Sequence, residues 1–269
     1  DAALVEQALR ADPSIKAVLM THVDTASSVK SDVQAVRAAL DAAGHSALLA
    51  VDCVASLGCD EFRMDAWGVD VMLGASQKGL MCPPGMAFVW FNDKARARYR
   101  SSGLRTPYWD WTLRADPQEF WQYWFGTAPT AHLYALRESL TMILHEEGLP
   151  HVWARHATLA RSIWAAFEAW GQGHGGIHLN VPIAAQRGHS VTAAHLPAPD
   201  ATRLRQWCEA NAGVTLGIGL GMARTFARQG MNIVLCDIRR EGLEQALGEI
   251  NRLGAQALAV ERSEERRVG

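Results

Sequence analysis

The sequence has no long apolar run. Stretches such as 69–73 and 85–91 are far too short to cross a bilayer, so no membrane span is expected. It has no excess of one charge either. Lys and Arg number 26 against 28 Asp and Glu, and a net charge of −2 offers no basic field for nucleic acid or an anionic membrane. No basic-then-apolar leader opens the chain. It starts without Met at Asp1, inside what reads as a helix over 2–10, and an amino-terminal truncation is expected. The cysteines (Cys53, Cys59, Cys82, Cys208 and Cys236) are odd in number and lack CxxC spacing, which argues for free thiols in a reducing, cytoplasmic compartment. His145-Glu146-Glu147 and His151 lack the HExxH spacing, so no zinc centre is expected. No nucleophile elbow and no internal repeat is found. What is present is globular: 49% hydrophobic and 20% charged residues.

Apolar runs at 15–20, 47–51, 69–73 and 86–91 read as buried strands. Between the first two, Val33, Val36, Leu40 and Ala43 recur at helical spacing, with Ser31 as the expected cap and Gly44 as the stop. Strand and helix alternate, which predicts an α/β fold on a mainly parallel sheet. Residues 127–145 and 150–170 read as long helices, the second with Trp153, Leu159, Ile163 and Phe167 on one stripe. A smaller α+β domain is expected to begin near Leu149, with a strand at 190–195, a helix at 201–211 and a strand starting at 214. For Trp109, Trp111, Trp121 and Trp124, core packing is the plainer expectation, and an active-site entrance or dimer seam the other.

In an open parallel sheet, ligands bind beyond the carboxyl ends of the strands. Asp52 and Lys78 each follow such an end, and the small or polar residues Gly74-Ala75-Ser76-Gln77-Lys78-Gly79 let a planar ligand approach the backbone. From spacing alone, an Asp–Lys ion pair reads equally well.

Three motifs settle the balance: Asp52-Cys53-Val54-Ala55-Ser56-Leu57-Gly58, then Met64-Asp65-Ala66-Trp67-Gly68-Val69-Asp70-Val71, then Gly74-Ala75-Ser76-Gln77-Lys78-Gly79-Leu80-Met81-Cys82-Pro83-Pro84-Gly85. Together they resemble the class V aminotransferases, which use pyridoxal phosphate, and most of all their serine/alanine–glyoxylate branch. Thr21-His22-Val23-Asp24-Thr25-Ala26 upstream and Leu133-Tyr134-Ala135-Leu136-Arg137-Glu138-Ser139-Leu140 downstream are similar to the same family in the same order. The resemblance runs from about Asp1 to Leu216. It implies the fold type I architecture of pyridoxal-phosphate-dependent transferases, as a partial large domain (1–148) and a partial small domain (149–216).

It also implies roles. Lys78 would form the Schiff base with the cofactor aldehyde, and its freed amine would then move the proton between the substrate Cα and the cofactor. Asp52 would pair with the protonated pyridine nitrogen, keeping the ring an electron sink. Thr25 would hydrogen-bond the phenolic oxygen, Val54 would lie against a ring face, and Gln77 would touch the phosphate. Turn capping is the plainer alternative for Thr25 and Gln77. Thr127, in Gly126-Thr127-Ala128-Pro129, matches a position that reaches the neighbouring subunit's phosphate, which implies a homodimer. Trp124 stands where relatives carry a tyrosine, and an indole offers only an N–H donor there. The family's phosphate loop and ring-stacking aromatic would precede Asp1, and no residue here can be named as its substrate-carboxylate arginine.

Gly217-Ile218-Gly219-Leu220-Gly221-Met222-Ala223, an apolar helix at 222–229, a strand at 232–236 ending beside Asp237, a helix at 241–253 and a strand at 256–260 resemble the opening of a short-chain dehydrogenase/reductase. That family's Ser…Tyr-x-x-x-Lys apparatus is absent. The two families share a Gly-Ile-Gly-Leu-Gly-like string, so a join of unrelated coding fragments at that string is expected: a chimera with a partial Rossmann βαβ segment at 217–261. Residues 262–269 form a charged tail that reads like the translation of a sequencing adapter. The expected activity is transfer of an amino group from alanine or serine to glyoxylate or pyruvate. The alternatives are a pyridoxamine–pyruvate transaminase and an NAD(P)-dependent reductase fragment.

Overall fold

Four aliphatic runs form β1 (Ala17–Thr21), β2 (Leu48–Asp52), β3 (Val71–Ala75) and β4 (Ala87–Phe91), within two residues of the positions expected. They build one sheet in the order β1-β2-β3-β4. The first three are parallel, and β4 returns antiparallel to β3 after the 76–86 excursion. The computed structural model describes residues 1–103, 106–173, 176–196, 200–213, 233–237, 247–248, 250–252 and 256–261. They belong to two compact units, Asp1–His195 and Leu196–Gly269.

In the first unit, α1 (Ala2–Ala11) and α2 (Val33–Ala42) cover one face of the sheet. Leu9, Val33 and Leu40 pack there against Leu49, Val51, Cys53, Val69 and Met72. Asp32, one residue beyond the expected Ser31, caps α2 by accepting the Ala35 amide at 2.9 Å. Gly44, at φ 60°, ends it in a conformation that costs glycine little. The buried Asp70 carboxylate ties the strands at their lower end. It accepts the Leu49 amide (2.8 Å), the Asn92 amide nitrogen (2.9 Å) and Lys94 Nζ (3.1 Å).

Side chains alternate across a strand. On β2, Leu49 and Val51 are fully buried while Leu48, Ala50 and Asp52 are only half-buried. These three, with Leu19 (79% exposed), mark the opposite, less covered face.

Downstream come α3 (Asp93–Tyr99), α4 (Trp111–Ala115), a 3-10 turn at Phe120–Tyr123, and α5 (Thr130–Thr141). A π-helical segment, Met142–Glu147, continues α5 and stops at Gly148, φ 84°. Then α6 runs over Leu149–Gly173. Its buried stripe is Val152, Ala157, Ala160 and Trp164, whereas Leu159 and Ile163 are exposed. That corrects the expected phase, which followed side-chain size and overlooked two buried alanines. Trp109 (73% exposed), Trp111 and Trp121 lie on the surface, so the core reading fails for them. The short strands β5 (His178–Leu179) and β6 (Ala194–His195) pair antiparallel, so the strand expected at 190–195 shrinks to its last two residues.

In the second unit, α7 spans Asp200–Ala212, and β7 (Ile233–Asp237) pairs in parallel with β8 (Ala257–Glu261). The expected strand at 214, the glycines at 217–221, the helix at 222–229 and the tail at 262–269 lie outside the described residues. Among the described residues, no helix is long and apolar enough to cross a membrane, and no cluster of metal-ligating side chains occurs. The described cysteines, Cys53, Cys59, Cys82 and Cys208, are free thiols.

Candidate active site

The carboxyl ends of the parallel strands bring two turns together. Thr21 lies beside Asp52, and Asp52 beside Leu73, across the register. Directly after Asp52 the chain folds into a tight turn. The Ser56 and Leu57 amides donate to the Cys53 carbonyl at 3.0 and 2.8 Å, and the Asp60 amide donates to Ser56 at 2.9 Å. Asp52 Oδ1 accepts the Val54 amide at 2.8 Å, which fixes the carboxylate and leaves its other oxygen for a further donor.

After β3, Ser76 closes the excursion that carries Lys78. Ser76 is fully buried. Its amide donates to Met86 O (3.1 Å), its hydroxyl donates to Pro83 O (2.8 Å), and its carbonyl accepts the Cys82 amide (3.0 Å). Leu80 is buried with Ile143 and Val152, and the Ser139 hydroxyl of α5 donates to its carbonyl. The anchored half of the loop thus faces inward, while Gln77 and Lys78 are exposed at its tip.

The two turns touch backbone to backbone. A methyl at Gly79 would overlap the Leu57 carbonyl oxygen and come within 2.7 Å of Cys59 Sγ. Gly58, at φ 81°, faces Gly79 from the other side; a Cβ on it would sit 3.3 Å from Gly79 O. Asp52 and Lys78 therefore stand at the same end of adjacent strands, on turns locked to one another.

Beneath the Asp52 turn lies His22, 2% exposed. Its Nδ1 is 2.9 Å from Ser56 Oγ, and its ring packs 5.1 Å from Phe62 and 5.9 Å from Trp67. Burial lowers its pKa from 6.5 to about 4, against the pull of the Asp60 charge. Burial likewise pushes the Cys53 thiol up to about 12 and Cys59 up to about 11, so neither is a ready nucleophile. His22 lies in the motif 21–26, but its burial against Ser56, 34 positions away, leaves no local pattern to read.

Of the other expected residues, Val54 is half-buried two residues past Asp52, and Gln77 is exposed next to Lys78. Thr25 is exposed in the loop after β1, whose turn is built by Asp24 accepting from the Ser27 amide at 2.8 Å. Thr127 is exposed ahead of α5, a helix tied to the lysine loop by His132 Nε2 at 3.1 Å from Pro84 O. Trp124 Nε1 is enclosed without a hydrogen-bond partner among the described residues.

Residues 1–232 match the model of the aminotransferase class-V family, and residues 212–264 match that of the short chain dehydrogenases. A serine–glyoxylate aminotransferase of Methylorubrum extorquens is 39% identical over 228 residues, 80% of this chain and 54% of its own length. The crystal structure of an alanine–glyoxylate aminotransferase from Nostoc sp. superposes with TM-score 0.70 at 26% identity, over 81% of this chain and 56% of that one. A pyridoxamine–pyruvate aminotransferase from Mesorhizobium loti superposes equally, TM-score 0.70 at 27% identity, over 80% and 54%. The chain spans about half the length of the curated relatives it matches.

His22 gives this end of the sheet a pH signature. Its folded pKa lies below the unfolded value, so the unfolded state takes up the extra proton first. Stability should be complete above pH 6.5 and fall as pH drops toward 4, by about 3 kcal/mol in all. Urea denaturation at stepped pH should show that loss in the native chain and a flatter profile in His22→Gln. Equal slopes for the two would contradict it.

Proposed function

The chain belongs to the class-V aminotransferase family, and from that premise we propose that it is part of a pyridoxal-phosphate-dependent aminotransferase acting between a small amino acid and a 2-oxo acid. Alanine or serine as donor and glyoxylate or pyruvate as acceptor fit best, given the relatives named as serine– and alanine–glyoxylate aminotransferases. Pyridoxamine with pyruvate is the second reading, supported by the equal superposition on a pyridoxamine–pyruvate aminotransferase. The observation that carries the proposal is the pairing of an exposed lysine with a fixed carboxylate on two interlocked turns at the ends of β2 and β3.

The residues fit the cofactor. Lys78 Nζ makes no hydrogen bond or ion pair among the described residues, and Asp52 keeps a carboxylate oxygen free. Pyridoxal phosphate, when bound, supplies an aldehyde that captures an amine and a ring that takes up the electron pair released at the substrate Cα. Asp52 would hold a proton on the pyridine nitrogen. Lys78 would hold the cofactor through Nζ, and the same amine would take and return the proton at the substrate Cα. Thr25 and Gln77 offer a hydroxyl and an amide to the phenolic and phosphate oxygens, and Val54 bounds a ring face.

Thr127 serves a neighbouring subunit's site in a homodimer. The exposed aromatic surface of Trp109, Phe120, Trp121 and Tyr123 supports such an interface, since clustered exposed apolar area marks association surfaces. A cytoplasmic location and the domain scheme of 1–148, 149–216, 217–261 and 262–269 belong to the same proposal. So does the chimeric join, which the overlap of the two family matches at residues 212–232 supports.

Incubation with pyridoxal phosphate, borohydride reduction and peptide mapping should label Lys78 and spare Lys16, Lys30 and Lys94. Lys78→Ala should abolish the visible-absorbing adduct. Label spread over all the lysines would refute the assignment. For the join, amplification from source DNA across codons 205–235 should fail to yield one continuous product; a continuous genomic product would refute it.

A further inference from the structure

A cleft of about 440 Å³ opens on the first unit between the middle of α6, the turn after Ala184–Gln186, and the loop bearing Lys30. Its floor is Trp164, 7% exposed and held by its Nε1 donating to Thr192 Oγ1 at 3.0 Å. The Arg187 guanidinium lies 5.3 Å over that indole. Each of its three nitrogens donates a bond: Nε to Val181 O (2.8 Å), Nη2 to Pro182 O (3.1 Å) and Nη1 to Glu168 Oε1 (2.7 Å). His189 is committed too, with Nδ1 3.1 Å from the buried Asp60 carboxylate, which also accepts the His189 amide. Burial raises the Asp60 pKa, but those bonds from His189 outweigh it and leave the carboxyl below its ordinary value, hence ionised.

Two further cations line the cleft. Lys30 Nζ forms an ion pair with Asp60 Oδ1 at 4.0 Å, beyond hydrogen-bond range, so its N–H donors are not spent on that carboxylate. Arg161, exposed on α6, has no hydrogen bond or ion pair among the described residues. The two carboxylates at the cleft, Asp60 and Glu168, already have partners in His189 and Arg187. A pocket lined by Trp164, Lys30, Arg161 and Arg187 with a single acid, Glu168, on its wall has the chemistry of an anion site.

We propose that this cleft binds a small oxyanion, a carboxylate or phosphate, with Arg161 and Lys30 as its donors. Arg161 offers the planar fork that grips two oxygens, and Lys30 offers a point charge from the opposite wall. None of these residues belongs to the Asp52–Lys78 site, so the inference stands or falls separately from the proposed transamination.

Isothermal titration of the full chain with inorganic phosphate, and separately with oxalate, tests it. One-to-one binding near about 1 mM is expected. Arg161→Ala should weaken it about tenfold and Lys30→Met by a similar factor, while Gln77→Ala, aimed at the proposed cofactor phosphate, should leave it unchanged. Arg161 is exposed, so its variant should keep the native thermal midpoint, and that midpoint is measured alongside. Binding of either anion with this pattern supports the site, and the tighter one identifies its chemistry. Three results would overturn it: no binding up to about 20 mM, binding that survives loss of both cations, or binding lost in Gln77→Ala instead.

Discussion

Where β2 and β3 end, two backbone turns press together so closely that a single methyl group cannot enter between them. Gly79 against Leu57 and Cys59, and Gly58 against Gly79, make that contact. Backbone contact of this kind is stiffer than side-chain packing, because no rotamer change can relieve it. Hydrogen bonds from Ser76 and Ser139 brace one turn from behind, and those of Ser56 with Cys53 and His22 brace the other. The backbones that carry the acid and the amine thereby keep their relative positions. Chemistry that passes a proton between fixed points needs that preorganisation.

The sheet is lopsided. One face is sealed by α1 and α2 around Leu40, Leu49 and Val51. On the other, Leu19 is exposed and Asp52 only half-buried. The chain spans about half the length of its relatives, and the less covered face is the one that carries the acid.

Much of the sheet was legible in the sequence, because β-branched and aliphatic runs ending in Asp52 and Gly-Ala-Ser-Gln-Lys announce the strands and the two turns beyond them. The starts of α1, α6 and α7 were legible to within a residue, whereas α5 begins at Thr130, three residues past the expected start; Asp32 won the cap of α2 from Ser31 because its carboxylate reaches the Ala35 amide. The phase of α6 was not, since small residues line its buried stripe, Ala160 packing beside Trp164 against Leu179 and Ala194 of the β5–β6 pair. Nor was the exposure of Trp109, Trp111 and Trp121, because an aromatic-rich stretch without clear period does not say which rings are covered. The Asp60–His189 contact joins residues 129 positions apart and leaves no local pattern to read.

The account rests on Asp52 keeping a bound pyridine nitrogen protonated while Lys78 holds the same molecule. The ring-nitrogen shift of ¹⁵N-labelled pyridoxal phosphate, recorded on the native chain and on Asp52→Asn, addresses that directly. The native chain should show the protonated-nitrogen shift at neutral pH, and the variant the neutral one. Identical shifts in the two would place the acid away from the ring and contradict the assignment.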